Sequence, residues 1–444
     1  MRGIKTGMVM QRNDQNVCEI FLESNQLITE AHYERAATGQ ASIKKCGENR
    51  YCLSGIPVGG PYTVIVNDES FTDVYVGDVW VLAGQSNMEG VGWFTEGDKS
   101  YQGEEHIRML QMKDEWGVAN HPLHPLWTAF DKVHTEVLGA SKPEVIFRGV
   151  GPGLAFAQKM FEYTKVPQGL LCCAHGGTSM AQWSPSLKGK GGDKSLYAAM
   201  LRRFQTNGSH VRGMFWHQGC SEAMGQTNDI FIDTMQDFVA ECRRDFEADI
   251  PVVQVQISRV LDVVPDTQAL LWNDIREKQR CLSKHISGLC TISTISKPLD
   301  DCIHLSSAGQ KELGEEAAEC MVNLLYGEKN DCLPPVTYLG HKVVADSHTG
   351  MAIIEVTYDH VHGELTATGR PNGFEVSKQK ETITKNLVFD IQLQGNTARL
   401  RTTRSPEQLD GFWLYYGFGL NPYCNITDGA ARSLPAMGPI ALFR

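Results

Sequence analysis

Apolar and polar positions alternate in short segments at both ends of the chain and run together in its middle. Near the amino terminus VCEIFLE (17–23), ASIKKC (41–46), RYCLSGI (50–56) and YTVIVND (62–68) alternate with period two, punctuated by turn signals such as VGGPY (58–62). That pattern predicts antiparallel β-structure with one wet face. Between residues 76 and 330 the strand candidates become continuous apolar runs: VWVLAG (79–84), QGLLCCAHGG (168–177), VRGMFWHQG (211–219), PVVQVQIS (251–258) and LCTISTI (289–295). Runs of this kind fit strands covered on both faces. Helical patterns lie among them. GLAFAQKMFEYT (153–164) puts Leu154, Ala157, Met160 and Phe161 on one face. IFIDTMQDFVAECRRDF (230–246) does the same with Ile232, Met235, Phe238, Val239 and Cys242, and SSAGQKELGEEAAECMVNLLY (306–326) closes the zone. After it AIIEVTY (352–358), GELTATG (363–369), LVFDIQL (387–393), TARLRTT (397–403) and FWLYYGF (412–418) return to the β-pattern, followed by a loop-rich tail.

Alternating strands and helices predict an α/β domain on a parallel sheet. The division expected is a β-domain over 1–75, an α/β domain over 76–331 and a second β-domain over 332–444, with Pro334–Pro335 just past the second boundary. No internal repeat marks a solenoid.

Composition narrows the function. Hydrophobic residues make up 42% and charged residues 21% of 444 positions, as in a folded globular protein. The net charge of −11 argues against nucleic acid as a partner, since phosphate binding needs a basic surface. The lysine-rich stretch Lys188–Lys194 reads as a solvated loop. No apolar run of about 18 residues predicts a membrane span. The start, MRGIKTGMVMQRNDQ, shows no signal peptide, and the 13 cysteines form no zinc-spaced CxxC pairs. A reducing, cytoplasmic setting is the expectation. A secreted or periplasmic one stays open if a signal was removed.

Four strand ends in the middle zone carry polar residues: GQSNM, HGGTSMAQW, WHQGCSEA and DDCIHLS. At the carboxyl edge of a parallel sheet such residues converge on a site. Ser86 is a candidate nucleophile, with Gly84 permitting a bend ahead of it, or else a helix cap. GQSNM is not the GxSxG elbow, because Met88 replaces the second glycine. His304 is the candidate base, and Asp301, three residues earlier, can hold its tautomer. Asp300 competes for that acid role, and both acids also suit a plain loop before a helix. Gly176, Gly177 and Gln218 are candidate oxyanion donors, or a turn and a strand-end amide. His121 and His124, in HPLH, are set among prolines that disfavour a helical metal motif, so no metal is expected. His175 and His217 read as supporting residues. Trp93, Trp183 and Trp216 suit either core or a sugar-stacking surface.

With these blocks in view, the chain resembles the sialate O-acetylesterase-like branch of the SGNH hydrolases. GDVWVLAGQSNMEG, HGGTSMAQW, WHQG and D-x-x-H occur in the family's order. GMVMQRN (7–13), GPYTVIVND (60–68) and GFWLYYGFGLNPYCNITDGAARSLPAMGPIALFR resemble its flanking regions. Residues 95–150 match least and read as an elaborated loop. The resemblance implies a three-layer α/β sandwich between two β-domains. It also implies hydrolysis of acetyl esters on sugar hydroxyls, of sialic acids or plant oligosaccharides, without a cofactor. On that reading Ser86 attacks, His304 is base and acid, and Asp301 orients it. Gln85, Gly177 and Gln218, with the Ser86 N–H, serve the oxyanion and substrate. An acetylated saccharide is the only partner implied. A non-catalytic carbohydrate-binding protein on the same scaffold is the alternative. One departure stands out. The family often carries an acid where this chain has Cys220, so Asp301 or Glu222 must support His304. Cys220 itself lacks the constellation of a nucleophile. Arg148 and Arg259 are candidates for meeting a sugar carboxylate.

Overall fold

The computed structural model describes residues 1–225, 228–327, 332–380 and 386–443. Asp331, the expected end of the middle domain, and Arg444, the last residue of the tail, lie outside them. The chain forms two compact units by contact: residues 1–216, 235–252 and 306–322 make the first, and 217–234, 253–305 and 323–444 the second.

The first unit is organised on one long strand, Glu69–Gly84. Its exposure falls from open at Glu69 to fully buried from Val74 onward. The first half pairs antiparallel with Gly59–Val66, which continues through Ala31–Glu34 to Thr38–Lys45. The second half pairs in parallel with Val9–Gln11 on one stretch and with Gln168–Cys172 on another. Gln168–Cys172 in turn runs parallel to Ile107–Leu110, and Trp116–Val118 closes that edge antiparallel. The sheet is therefore mixed and not purely parallel. The cause is the long strand itself, which passes unbroken through residues 75 and 76 and serves both patterns. Where one face meets water, residues alternate, as in Val17–Glu23 with Cys18, Ile20 and Leu22 turned inward. Where helices such as Gly153–Thr164 cover the sheet, Val79–Gly84 is buried at every position. A buried ion pair staples the junction: the Arg12 guanidinium donates to both oxygens of Asp78, at 2.9 and 2.8 Å.

In the second unit, Val252–Gln256 and Leu289–Ser293 pair as strands, and Ala269–Cys281 is a helix. Its carboxyl-terminal part is mostly β, with one helical turn at Pro406–Leu409. Thr337–Ala345, Ala352–Asp359, Thr397–Thr402 and Val388–Gln394 form one antiparallel sheet, and Phe374–Ser377, Trp413–Tyr416 and Met437–Ala441 another. Between them lies a core of Ile354, Val356, Tyr358, Val376, Leu400, Leu414 and Tyr416. Among the described residues, no helix is long and apolar enough to cross a membrane.

Candidate active site

Ser86 lies in the first unit, where the long strand stops. Gly84 takes φ +124°, a conformation L side chains rarely adopt, and turns the chain out of the sheet. Gln85 is the N-cap of a one-turn helix, Ser86–Glu89, so Ser86 is its first residue and not its cap. Gln85 is buried, and its carbonyl accepts the N–H groups of Met88 and Glu89. Gln310 donates to the Asn87 amide oxygen at 2.9 Å and fixes the turn from below.

The HGG block meets this turn. Cys173 and His175 donate their N–H groups to Leu82 and Gly84, extending the parallel register past the strand end. Gly176 then lies against the serine. A Cβ there would sit 3.3 Å from Ser86 Cβ and 2.8 Å from Glu89 Oε2. The Gly176 N–H donates to Glu89 Oε2 at 2.6 Å. Gly177 has φ +70°, and the space where a Cβ would project is open. Behind the glycines, His175 and His134 stack with their Nδ1 atoms 2.9 Å apart. One ring must donate and the other accept, so at least the accepting ring is neutral. Burial lowers His175 to about 4 and takes His134 well below its ordinary value, aided by His175. His124 Nδ1 donates to the Glu89 carbonyl at 2.9 Å, and burial brings that imidazole down to about 3.

The second unit holds the other candidates. Asp301 Oδ1 accepts the N–H groups of Ile303 and His304, at 2.9 and 2.8 Å. Its Oδ2 lies 2.7 Å from His304 Nδ1. Burial opposes ionisation of Asp301. The bonds from His304 and the two backbone N–H groups outweigh it and hold the carboxyl below its ordinary value. With Nδ1 on a carboxylate, the ring's basic nitrogen is Nε2. Gln218 and Glu222 are fully buried, and Gln218 Nε2 donates to Glu222 Oε2 at 2.9 Å. Gly219, with φ +151°, packs on Gln279: a Cβ would meet its Nε2 at 2.5 Å. Gln279 donates to the Gln218 carbonyl and accepts from the Ile257 N–H. Burial, with a smaller contribution from His304, lowers His217 to about 3. Burial pushes the Cys220 thiol up to about 12, which leaves no thiolate for attack.

The remaining candidates separate. Trp183 and Trp216 are fully buried and pack edge to face. Trp93 is half exposed and meets Phe147 edge to face. Arg148 is exposed beside it, and Arg259 donates to the Lys297 carbonyl. Lys188 pairs with Asp245 and Glu241. Among the described residues no cluster of three metal-ligating side chains occurs. Sequence reasoning passed over Glu89, His134 and Gln279. Glu89 sits one helical turn after Ser86, but its partner is 87 positions away, and no spacing rule links them.

Over 98% of each chain, the structure superposes on a carbohydrate acetylesterase from Xanthomonas citri, with TM-score 0.71 and 18% identity. A protein from Arabidopsis thaliana aligns at TM-score 0.44 and 23% identity, over 56% of this chain and 98% of its own. NanS aligns at 0.40 and 15%, over 56% and 97%. No curated protein sequence matches. The family profile described as carbohydrate esterase, sialic acid-specific acetylesterase, matches residues 76–323, more than half of the chain and all four motif blocks. The chain belongs to that family of carbohydrate esterases.

Proposed function

We propose that the protein is a serine esterase that removes acetyl groups from saccharide hydroxyls. The observation that carries the reading is the Asp301–His304 pair, at 2.7 Å. An imidazole held through Nδ1 by an ionised carboxylate is built to take and return a proton at Nε2. In this mechanism His304 Nε2 takes the Ser86 proton as Oγ attacks the acetyl carbonyl. The tetrahedral oxyanion accepts from the Ser86 and Gly177 N–H groups and the Gln218 amide. His304 then protonates the departing sugar oxygen, leaving acetyl-Ser86. Water, deprotonated by the same imidazole, attacks that ester, and acetate leaves with Ser86 regenerated. Asp301 stabilises the imidazolium in both steps. Glu222, engaged by Gln218, aims that amide, and Gln85 shapes the turn through its carbonyl.

The same reading treats residues 76–331 as an SGNH three-layer domain between β-domains at 1–75 and 332–444. The thirteen free cysteines fit a reducing compartment such as the cytoplasm. The substrate is an acetylated sialic acid or an acetylated plant-type oligosaccharide. The test is acetate release from both, and from an activated acetyl ester, by wild type and Ser86→Ala. Loss of roughly 10⁴-fold or more in kcat with the fold intact is expected. Undiminished turnover by Ser86→Ala overturns the serine mechanism. Binding of saccharide without turnover by the wild type points to the non-catalytic alternative.

A further inference from the structure

Glu89 is a half-buried carboxylate one helical turn from Ser86. The acyl-transfer steps above do not use it. Its Oε2 accepts the Gly176 N–H at 2.6 Å. That distance is short even for a bond to an ionised acceptor. The contact has two consequences at the serine. It occupies the Gly176 N–H, so this group is not available to a substrate. It also draws the Gly176 backbone against Ser86, at a distance where even a methyl group would collide with the carboxylate. The next peptide N–H, that of Gly177, donates to no group among the described residues.

We propose that Glu89 is a positioning residue of the acyl-transfer site: its ionised carboxylate holds the Gly176 N–H and keeps the Gly177 N–H aimed at the oxyanion. The proposal rests on the serine-esterase reading and deepens it. The neighbours of Glu89 in the first unit leave its charge finely balanced. Arg148 is the cation that favours ionisation. His124, on the Glu89 carbonyl, and His175, ahead of Gly176, are neutral imidazoles, and Ser86 on the same helix carries no charge. Burial dominates and lifts the carboxyl to about 7, against the pull of the Gly176 N–H and Arg148. Protonation removes the strong acceptor and loosens the glycine turn. The rate on the acid side of the profile then falls as Glu89 takes up its proton near pH 7.

The experiment measures kcat and KM for an activated acetyl ester from pH 5 to 9 in wild type, Glu89→Ala, Glu89→Gln and Ser86→Ala. Glu89→Ala should lose about tenfold or more in kcat with KM changed less than twofold. Glu89→Gln retains a neutral oxygen for the Gly176 N–H. At pH 8 it should therefore show the reduced kcat of an enzyme whose Glu89 is protonated, a loss of about threefold to tenfold, and the part of the wild-type fall in kcat near pH 7 that belongs to Glu89 should be absent. Wild-type kcat in Glu89→Ala, or a pH profile in Glu89→Gln that matches the wild type's in both height and shape, overturns the proposal. If Ser86→Ala stays active, the serine reading fails instead, and the two outcomes are read separately.

Discussion

At the scale of single residues, Glu89 sets stability against activity. Its carboxyl moves from an ordinary 4.5 to about 7 because burial penalises the charge. The folded state therefore binds the proton more tightly than the unfolded chain does. Stability is complete below about pH 4.5 and declines as pH rises to about 7, by an amount on the order of 3 kcal/mol. Glu89→Gln escapes this cost. Its melting temperature should match the wild type's near pH 4.5 and exceed it by several degrees at pH 8, as calorimetry across pH would record. An equal difference at both pH values would contradict the assignment. Gly176 belongs to the same contact. Gly176→Ala forces a methyl group to within 2.8 Å of the Glu89 carboxylate. Its loss of kcat should combine with that of Glu89→Ala far less than additively, since both break one interaction.

At the scale of elements, legibility followed burial. The helix expected over 153–164 is observed as Gly153–Thr164, with Leu154, Ala157 and Met160 buried at helical spacing and Glu162 and Tyr163 exposed. The period-two strands at both ends appear within a few residues of their expected limits, for instance Val17–Glu23 and Thr397–Thr402. Ala269–Cys281 was not marked by any pattern, because its buried face includes Asn273, Arg276 and Gln279 beside Trp272 and Ile275. Leu196–Gln205 shows no pattern either, since its buried face includes Arg203 beside Met200 and Phe204. Four motif blocks of the candidate site were legible from their position after apolar runs. The bonds that shape them were not, since Glu89–Gly176 and Gln218–Gln279 join segments far apart in sequence. The poorly matching stretch after residue 95 is tied down by Asp98, which accepts from Ser307 and pairs with Lys311 at the start of helix Ser307–Tyr326. Burial alone would raise the Asp98 carboxyl, but Lys311, Thr95 and Ser307 outweigh it and bring it to about 2. This support holds above about pH 4 and is lost as pH falls towards 2. Elsewhere in this unit, Arg12→Ala would leave the fully buried Asp78 carboxyl without its ion-pair partner, with Gln11 still donating to it. A loss of about 3 kcal/mol in urea unfolding is expected, and a loss under 1 kcal/mol would show that the pair is replaceable.

At the scale of the whole molecule, the carboxyl-terminal β-region is built into the second unit's candidate catalytic half. Gln256, on a buried strand, donates to the Ala436 carbonyl and accepts from the Ala436 N–H. The buried Arg276 guanidinium donates to the carbonyls of Gly417, Gly419 and Ser258. Leu420 accepts the Val260 N–H, and the neighbouring Leu261 N–H donates to Cys302, between Asp301 and His304. Ile295, from the end of the last strand of the α/β pattern, packs in the same core as Tyr416 and Leu434. A chain ending at Asp331 would lose the Ala436, Gly417, Gly419 and Leu420 partners at once. Gln256 and Arg276 would be left with unsatisfied polar groups, each costing about 1–3 kcal/mol, and the loop bracing Cys302 would be released. Such losses rival the 5–15 kcal/mol that typically separates folded from unfolded protein. The truncated chain should show no cooperative unfolding of this unit and no acetate release. Arg276→Ala in the full chain should reproduce part of the defect, with a lower urea midpoint and faster proteolysis around residues 260 and 420. A truncated chain that hydrolyses acetyl esters at the full rate would mean that the β-region is an appendage and that these contacts do not hold Asp301 and His304 in place.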